Sequence, residues 1–228
     1  VSTHTYAVVP GAISFVSKST GSVVVSWVDT NAAGSGTRYS VEYSSGNNLN
    51  YLEFYGGNYA ANVNHAPLNP NTTYYYKVRA LNADGVWTAY NTPVSTHTYA
   101  SIPGAITFVN KSTGSVVISF VDTNISTSGT RYSVEYSSGD NLNYLEFYGG
   151  NYVTNVNHSP LNPNTTYYYK VRARNADSVW TAYNTPVSTH TYAAIPGAIT
   201  FVNKSTGSVV ISFVDTNIAT SGTRYSVE

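Results

Sequence analysis

Residues 68–82 read LNPNTTYYYKVRALN, and 93 positions later residues 161–175 read LNPNTTYYYKVRARN. From Thr73 to Ala80 the residues Tyr74, Tyr76, Val78 and Ala80 share one side, while Tyr75, Lys77 and Arg79 share the other. A two-residue alternation of this kind is the pattern of a half-buried β-strand. The Pro-Leu-Asn-Pro-Asn run just before it supplies a turn. A strand with one apolar face needs a second layer to cover it, so this stretch commits the chain to a packed β architecture.

The 93-residue interval extends well beyond that stretch. The heptapeptide VSTHTYA begins at Val1, Val94 and Val187. Residues 1–93 and 94–186 differ at fifteen positions, and residues 94–135 and 187–228 at two. One structural unit is therefore copied in tandem. The expected divisions are residues 1–7, the last strand of a preceding repeat; 8–100 and 101–193, two complete repeats; and 194–228, a truncated repeat holding its first three strands. Glu228 corresponds to Glu42 and Glu135, and the chain reads as a window on a longer array.

Further alternating stretches complete the period. Ser22–Val28 sets Val23, Val25 and Trp27 on one face, and Arg38–Tyr43 does the same with Tyr39, Val41 and Tyr43. Turn clusters fall at Lys18–Gly21, Asn31–Gly36, Ser44–Asn50, Gly56–Asn58 and Pro67–Thr72. A final strand is expected over Val86–Thr98, leading directly to Pro103 with no flexible spacer. Short strands at this spacing describe a β-sandwich.

These residues resemble the fibronectin type III family over the whole period. Pro10 opens the unit, Val23-x-Val25-x-Trp27 matches the second strand, and Tyr39-x-Val41-x-Tyr43 matches the third. Leu68-x-Pro70-x-Thr72-x-Tyr74-x-Tyr76-x-Val78-x-Ala80-x-Asn82 matches a turn and the sixth strand, and Leu161–Asn175 repeats it. The resemblance implies an all-β chain of tandem seven-stranded immunoglobulin-like β-sandwiches in a linear array. It also makes Tyr74 and Tyr167 tyrosine-corner residues, whose hydroxyls bond nearby backbone. Two departures are Phe120 and Phe213 in place of Trp27, and Asn71 or Asn164 where the family often has glycine. Asparagine tolerates the left-handed conformation that such a turn needs.

Composition narrows function. Eleven basic residues balance eleven acidic ones, so there is no electrostatic footprint for nucleic acid or an anionic membrane surface. No apolar run is long enough to span a membrane. There is no cysteine, hence no disulfide, thiolate nucleophile or cysteine-ligated metal. A surface rich in Ser, Thr, Asn and 22 tyrosines, with few charges, points to an extracellular setting, secreted or on the cell surface.

Candidate chemistry is sparse. His4, His97 and His190 are one residue seen three times, expected as solvated strand positions. His65 and His158 have no second ligand at metal spacing. Glu42 and Glu53 could form a carboxylate pair, but Glu42 is expected to meet Lys77 or Arg79 across the sheet. Asp84 is expected to bond its own turn. The residues thus show no catalytic site, cofactor site or metal site. Six N-glycosylation sequons stand at Asn71, Asn110, Asn124, Asn157, Asn164 and Asn203, about the number that chance gives for this composition. Asn71 and Asn164 are expected in an exposed turn, Asn110 and Asn203 in the turn after the first strand. Tyr55, Tyr59, Tyr75 and Tyr90 are expected at outward or loop positions.

Two functions follow from this reading. One is a non-catalytic rod or fibre of near-identical repeats that associates with itself or with neighbouring repeats. The other is an adhesin stalk or carbohydrate-binding accessory array, with a glycan or a surface protein as ligand.

Overall fold

A computed structural model describes residues 3–124, 129–217 and 222–228. The first period contains β1 (Ile13–Lys18), β2 (Val23–Trp27), β3 (Arg38–Ser45), β4 (Leu52–Asn58), β5 (Val63–His65), β6 (Thr73–Leu81) and β7 (Val94–His97). They form a three-stranded sheet in the order β1-β2-β5 and a four-stranded sheet in the order β4-β3-β6-β7. The second period repeats them as β8 (Ile106–Lys111), β9 (Val116–Phe120), β10 (Arg131–Ser138), β11 (Leu145–Asn151), β12 (Val156–His158), β13 (Thr166–Arg174) and β14 (Val187–His190). Its sheets have the same orders, β12-β9-β8 and β11-β10-β13-β14. All described residues are strand, turn or irregular, as an all-β chain requires.

Two compact units divide the chain. The first comprises Val1–Ile102 with Thr123–Arg131 and Ala173–Ala182; the second comprises Pro103–Asp122, Tyr132–Arg172 and Tyr183–Glu228.

In the first unit β6 carries the core. Its residues alternate between buried and half-buried along the whole strand, with Tyr74, Tyr76, Val78 and Ala80 inward. They meet Val23, Val25 and Trp27 of β2, Tyr39 and Val41 of β3, and Ile13 and Val63. Each fully buried large apolar side chain contributes about 1.5–3 kcal/mol, so this cluster supplies most of the cohesion of the sandwich. Trp27 lies on the Tyr39 ring at 5.4 Å, but its indole N–H is buried with no partner. Phe120 takes the same place against Tyr132 at 5.2 Å and brings no polar atom inside. The substitution costs aromatic area and removes an orphaned donor, so the core accepts it.

A histidine sits inside this aromatic core. His65 is 7% exposed, stacked on Phe54 at 4.2 Å and against Tyr43 at 4.1 Å, with Nδ1 3.1 Å from the Tyr76 hydroxyl. Burial pushes its pKa down to about 4. His158 repeats the arrangement and is likewise pushed down to about 4 by burial. The neutral imidazole is thus a core component of each sandwich.

Four strands form the edges of the first sandwich, and each is interrupted. Val16 is an extra residue in β1, and Phe54 is an extra residue in β4. The short β5 runs only from Val63 to His65 and is followed by Pro67, while β7 is preceded by Pro93. Bulges, short length and proline are the usual means of blocking edge-to-edge pairing.

The structure corrects several expectations. Gly56–Asn58 is the end of β4 rather than a turn. A Cβ on Gly56 would lie 2.8 Å from the Glu53 carboxylate, so glycine here makes room for a neighbouring side chain. The last strand covers only Val94–His97, not Val86–Thr98. Before it, side chains replace part of the backbone ladder. Thr88 N donates to Ala80 O and Thr88 Oγ1 accepts from Ala80 N; Asn91 does the same with Val78. In the third copy β15 (Thr200–Lys204) and β16 (Val209–Ser212) form, while residues 222–228 are not a strand, so the expected third strand is missing. Val209 is 55% exposed where its counterpart Val116 is fully buried, because β15 and β16 lack a facing sheet among the described residues. Tyr59 is an exposed loop residue as expected, and one edge of its ring also packs against Trp27 at 5.7 Å.

Acid unfolding tests the buried histidines. The folded pKa lies below the ordinary value near 6.5, so the unfolded chain takes up protons first as pH falls. The stabilisation is complete above about pH 6.5 and lost towards pH 4, on the order of 3 kcal/mol per complete repeat. Urea midpoints measured from pH 7 to pH 4 should fall steeply, and a His65→Phe, His158→Phe variant should flatten that slope.

Candidate functional site: a polar joint and an aromatic ladder

Two groups of side chains outside the core are built with unusual regularity. The first is a joint within the first unit, where the loops around Thr130 and Asn175–Asp177 pack on the turn before β6. The Asn71 backbone is in the left-handed region at φ 44°, a conformation that turns its side chain into the joint. Its amide donates to Thr130 Oγ1 at 2.7 Å and accepts from the Ala176 N–H at 3.0 Å. Asn71 is 1% exposed. Asn175 donates to Thr98 O at 3.3 Å, and Asn124 both accepts from Ser101 N and donates to Ser101 O.

A charged group completes the joint. The Asp177 carboxylate is 2.8 Å from His97 Nδ1 and 2.9 Å from Lys18 Nζ. Burial pushes its pKa up, but hydrogen bonds and charge from Lys18 and His97 outweigh that and hold it below the usual carboxylate range. Residues 3–7 dock on the first period in a related way. His4 Nδ1 is 2.8 Å from Asp84, His4 N donates to the other carboxylate oxygen, and Asn82 donates to Thr5 O. His4 and His97 are therefore bonded residues and not merely solvated ones, and Asp84 bonds His4 rather than its own turn. His190 is exposed. The histidine–aspartate partners lie 80 positions apart in the chain and Lys18 and Asp177 lie 159 apart, beyond the reach of any local pattern.

The second group covers the outer face of β6. Lys77 Nζ lies over Tyr51 at 4.0 Å and over Tyr90 at 4.1 Å, while Arg79 lies over Tyr90 at 4.7 Å and over Trp87 at 4.3 Å. Rings and cations thus alternate in the order Tyr51, Lys77, Tyr90, Arg79, Trp87. Glu42 receives Lys77 at 3.2 Å and the Tyr90 hydroxyl. Burial first, and then the Glu42 carboxylate, pushes the Tyr90 phenol up to about 12. In the second unit Lys170 lies between Tyr144 and Tyr183, with Glu135 at 3.2 Å, and Arg172 lies over Tyr183. The expected Glu42–Lys77 pair is present. Glu53 takes the Ser40 hydroxyl, so the two glutamates have separate partners.

Tyr74 and Tyr167 each accept a hydrogen bond at 2.9 Å, from Asn69 N and Asn162 N. Of the sequon asparagines, Asn110 and Asn203 lie in β8 and β15 rather than in a turn, and with Asn157 they are exposed. Asn71 and Asn124 are buried, contrary to the exposed turn expected for Asn71; Asn164 is half-buried and donates to Thr223 Oγ1 at 2.6 Å. Among the described residues no three His, Asp or Glu side chains are grouped so as to hold a metal ion.

Comparison with known proteins agrees with this architecture. Residues 9–97 match the family model for the fibronectin type III domain. A two-domain fibronectin type III segment of chicken tenascin is similar in fold, with a TM-score of 0.50 and 15% identity, covering 81% of this chain and 99% of that one. The FN1-FN3 domains of chicken CNTN1 align at a TM-score of 0.37 and 16% identity, covering 82% and 68%. No curated protein sequence matches the chain.

The joint rests on Asn71 more than on its ion pair. Replacing Asn71 by Ala removes two hydrogen bonds of the joint, the one to Thr130 Oγ1 and the one from the Ala176 N–H, at about 1–3 kcal/mol together. Asp177→Asn removes a partly exposed ion pair, worth less than about 1 kcal/mol. Urea unfolding of both variants should show this order, with Asp177→Asn alone losing its effect in high salt.

Proposed function

We propose, from a chain built of tandem fibronectin type III domains, that this protein is a non-catalytic structural array displayed outside the cell. The observation that carries the reading is the buried Asn71 amide, which ties the loops of one period to the turn of the one before it. A connection closed by buried side-chain bonds transmits force, whereas a free linker lets successive domains move apart. The absence of a Gly/Ser-rich spacer between Thr98 and Pro103 supports the same view. Interrupted sheet edges keep such an array from pairing indiscriminately. Its partners in this reading are further repeats of the same kind, and the neutral, hydroxyl-rich surface suits an extracellular setting.

Limited proteolysis followed by mass spectrometry tests the joint. The segment from Thr98 to Gly104 should resist cleavage as long as the sandwiches themselves, and an early cut there would overturn the coupled-array reading. In a secretory host, glycans belong on exposed Asn110, Asn157 and Asn203, with buried Asn71 and Asn124 unmodified. Peptide mapping that finds sugar on Asn71 would contradict this assignment.

A further inference from the structure

The cations of the aromatic ladder are not equivalent. Lys77 and Lys170 each have a glutamate at 3.2 Å. Arg79 has no carboxylate and no hydrogen bond among the described residues, and its Nε is buried without a partner. Two aromatic rings hold the guanidinium, Trp87 at 4.3 Å and Tyr90 at 4.7 Å. The side chain is therefore pinned as a planar fork, with neither of the bonds such a fork is shaped to make. In the second period Arg174 stands where the first has Leu81. It lies 5.4 Å from the Trp180 ring, and its Nε is again buried and unpartnered. Trp87 and Trp180 remain 41% and 37% exposed, so an apolar ring faces solvent beside each unpaired arginine.

We propose that Arg79 with Trp87, and Arg174 with Trp180, bind a uronic-acid polysaccharide, the arginine taking the carboxylate and the tryptophan the sugar ring. A rigid guanidinium matches a planar carboxylate through two parallel hydrogen bonds. The nearby acidic groups do not compete, since Glu42 is held by Lys77 and Tyr90, and Glu53 by the Ser40 hydroxyl. The adjacent tryptophan favours a ring-bearing polymer over an acidic peptide. Because the chain has no net charge, attraction comes from these local contacts rather than a long-range field. Two arginine–tryptophan sites in one chain multiply weak single contacts on a repetitive polymer. This binding site is separate from the structural role, and its tryptophans are exposed.

Isothermal titration of the full chain with polygalacturonate tests the assignment. Fully methyl-esterified polygalacturonate, with the same backbone and no charge, should bind at least about ten-fold more weakly, and so should poly-glutamate. An Arg79→Lys, Arg174→Lys variant keeps the charge and loses the fork, and its affinity should also fall about ten-fold. A Trp87→Ala, Trp180→Ala variant should fall comparably. No binding of polygalacturonate, equal binding of poly-glutamate, or parental affinity in the lysine variant would overturn the proposal.

Discussion

A β-strand throws successive side chains to opposite faces, and β6 uses that constraint for two different surfaces. Its inward residues Tyr74, Tyr76, Val78 and Ala80 hold the two sheets together. Its outward residues Lys77 and Arg79 are spaced so that rings from residues 51, 87 and 90 fit around them. A shift of register by one residue would put cations in the core and leave the ladder without its rungs. The core, the outer face and the path of the segment before β7 therefore depend on one alternation. The hydroxyl of Tyr74 extends that control to the preceding turn by accepting from Asn69 N.

Amides do much of the work that charges do in other proteins. Asn91 and Thr88 replace ladder partners, and Asn71, Asn124 and Asn175 close contacts within the first unit. An asparagine side chain supplies donor and acceptor together, without the desolvation penalty of a buried ion. This gives a physical reason for an asparagine-rich, nearly uncharged composition in a chain with a well-packed interior. The charged group of the joint, Lys18–His97–Asp177, stays partly exposed, where desolvation costs little.

The strands and sandwiches could be read from alternation and turn residues because those signals are local. The broken last strand could not. Thr88 and Asn91 mimic backbone partners with their side chains, and that exchange leaves no apolar periodicity to follow. Gly56 and Gly57 looked like a turn because glycine marks turns more often than it marks an edge strand crossed by its neighbours' side chains. The burial of Asn71 was hidden for a similar reason, since its partners Thr130 and Ala176 lie far away along the chain.

The sequence by itself determined the repeat, the β-class of the chain, the inward residues of each main strand, and the family resemblance. All of these follow from spacing within a few residues or from identity between copies. Only the tertiary structure decided that His65 is enclosed by aromatic rings, that His97 and Lys18 share Asp177, and that Arg79 is stacked but unpaired. Those outcomes depend on which side chains meet across sheets and loops, and on burial, which sets how strongly each contact counts.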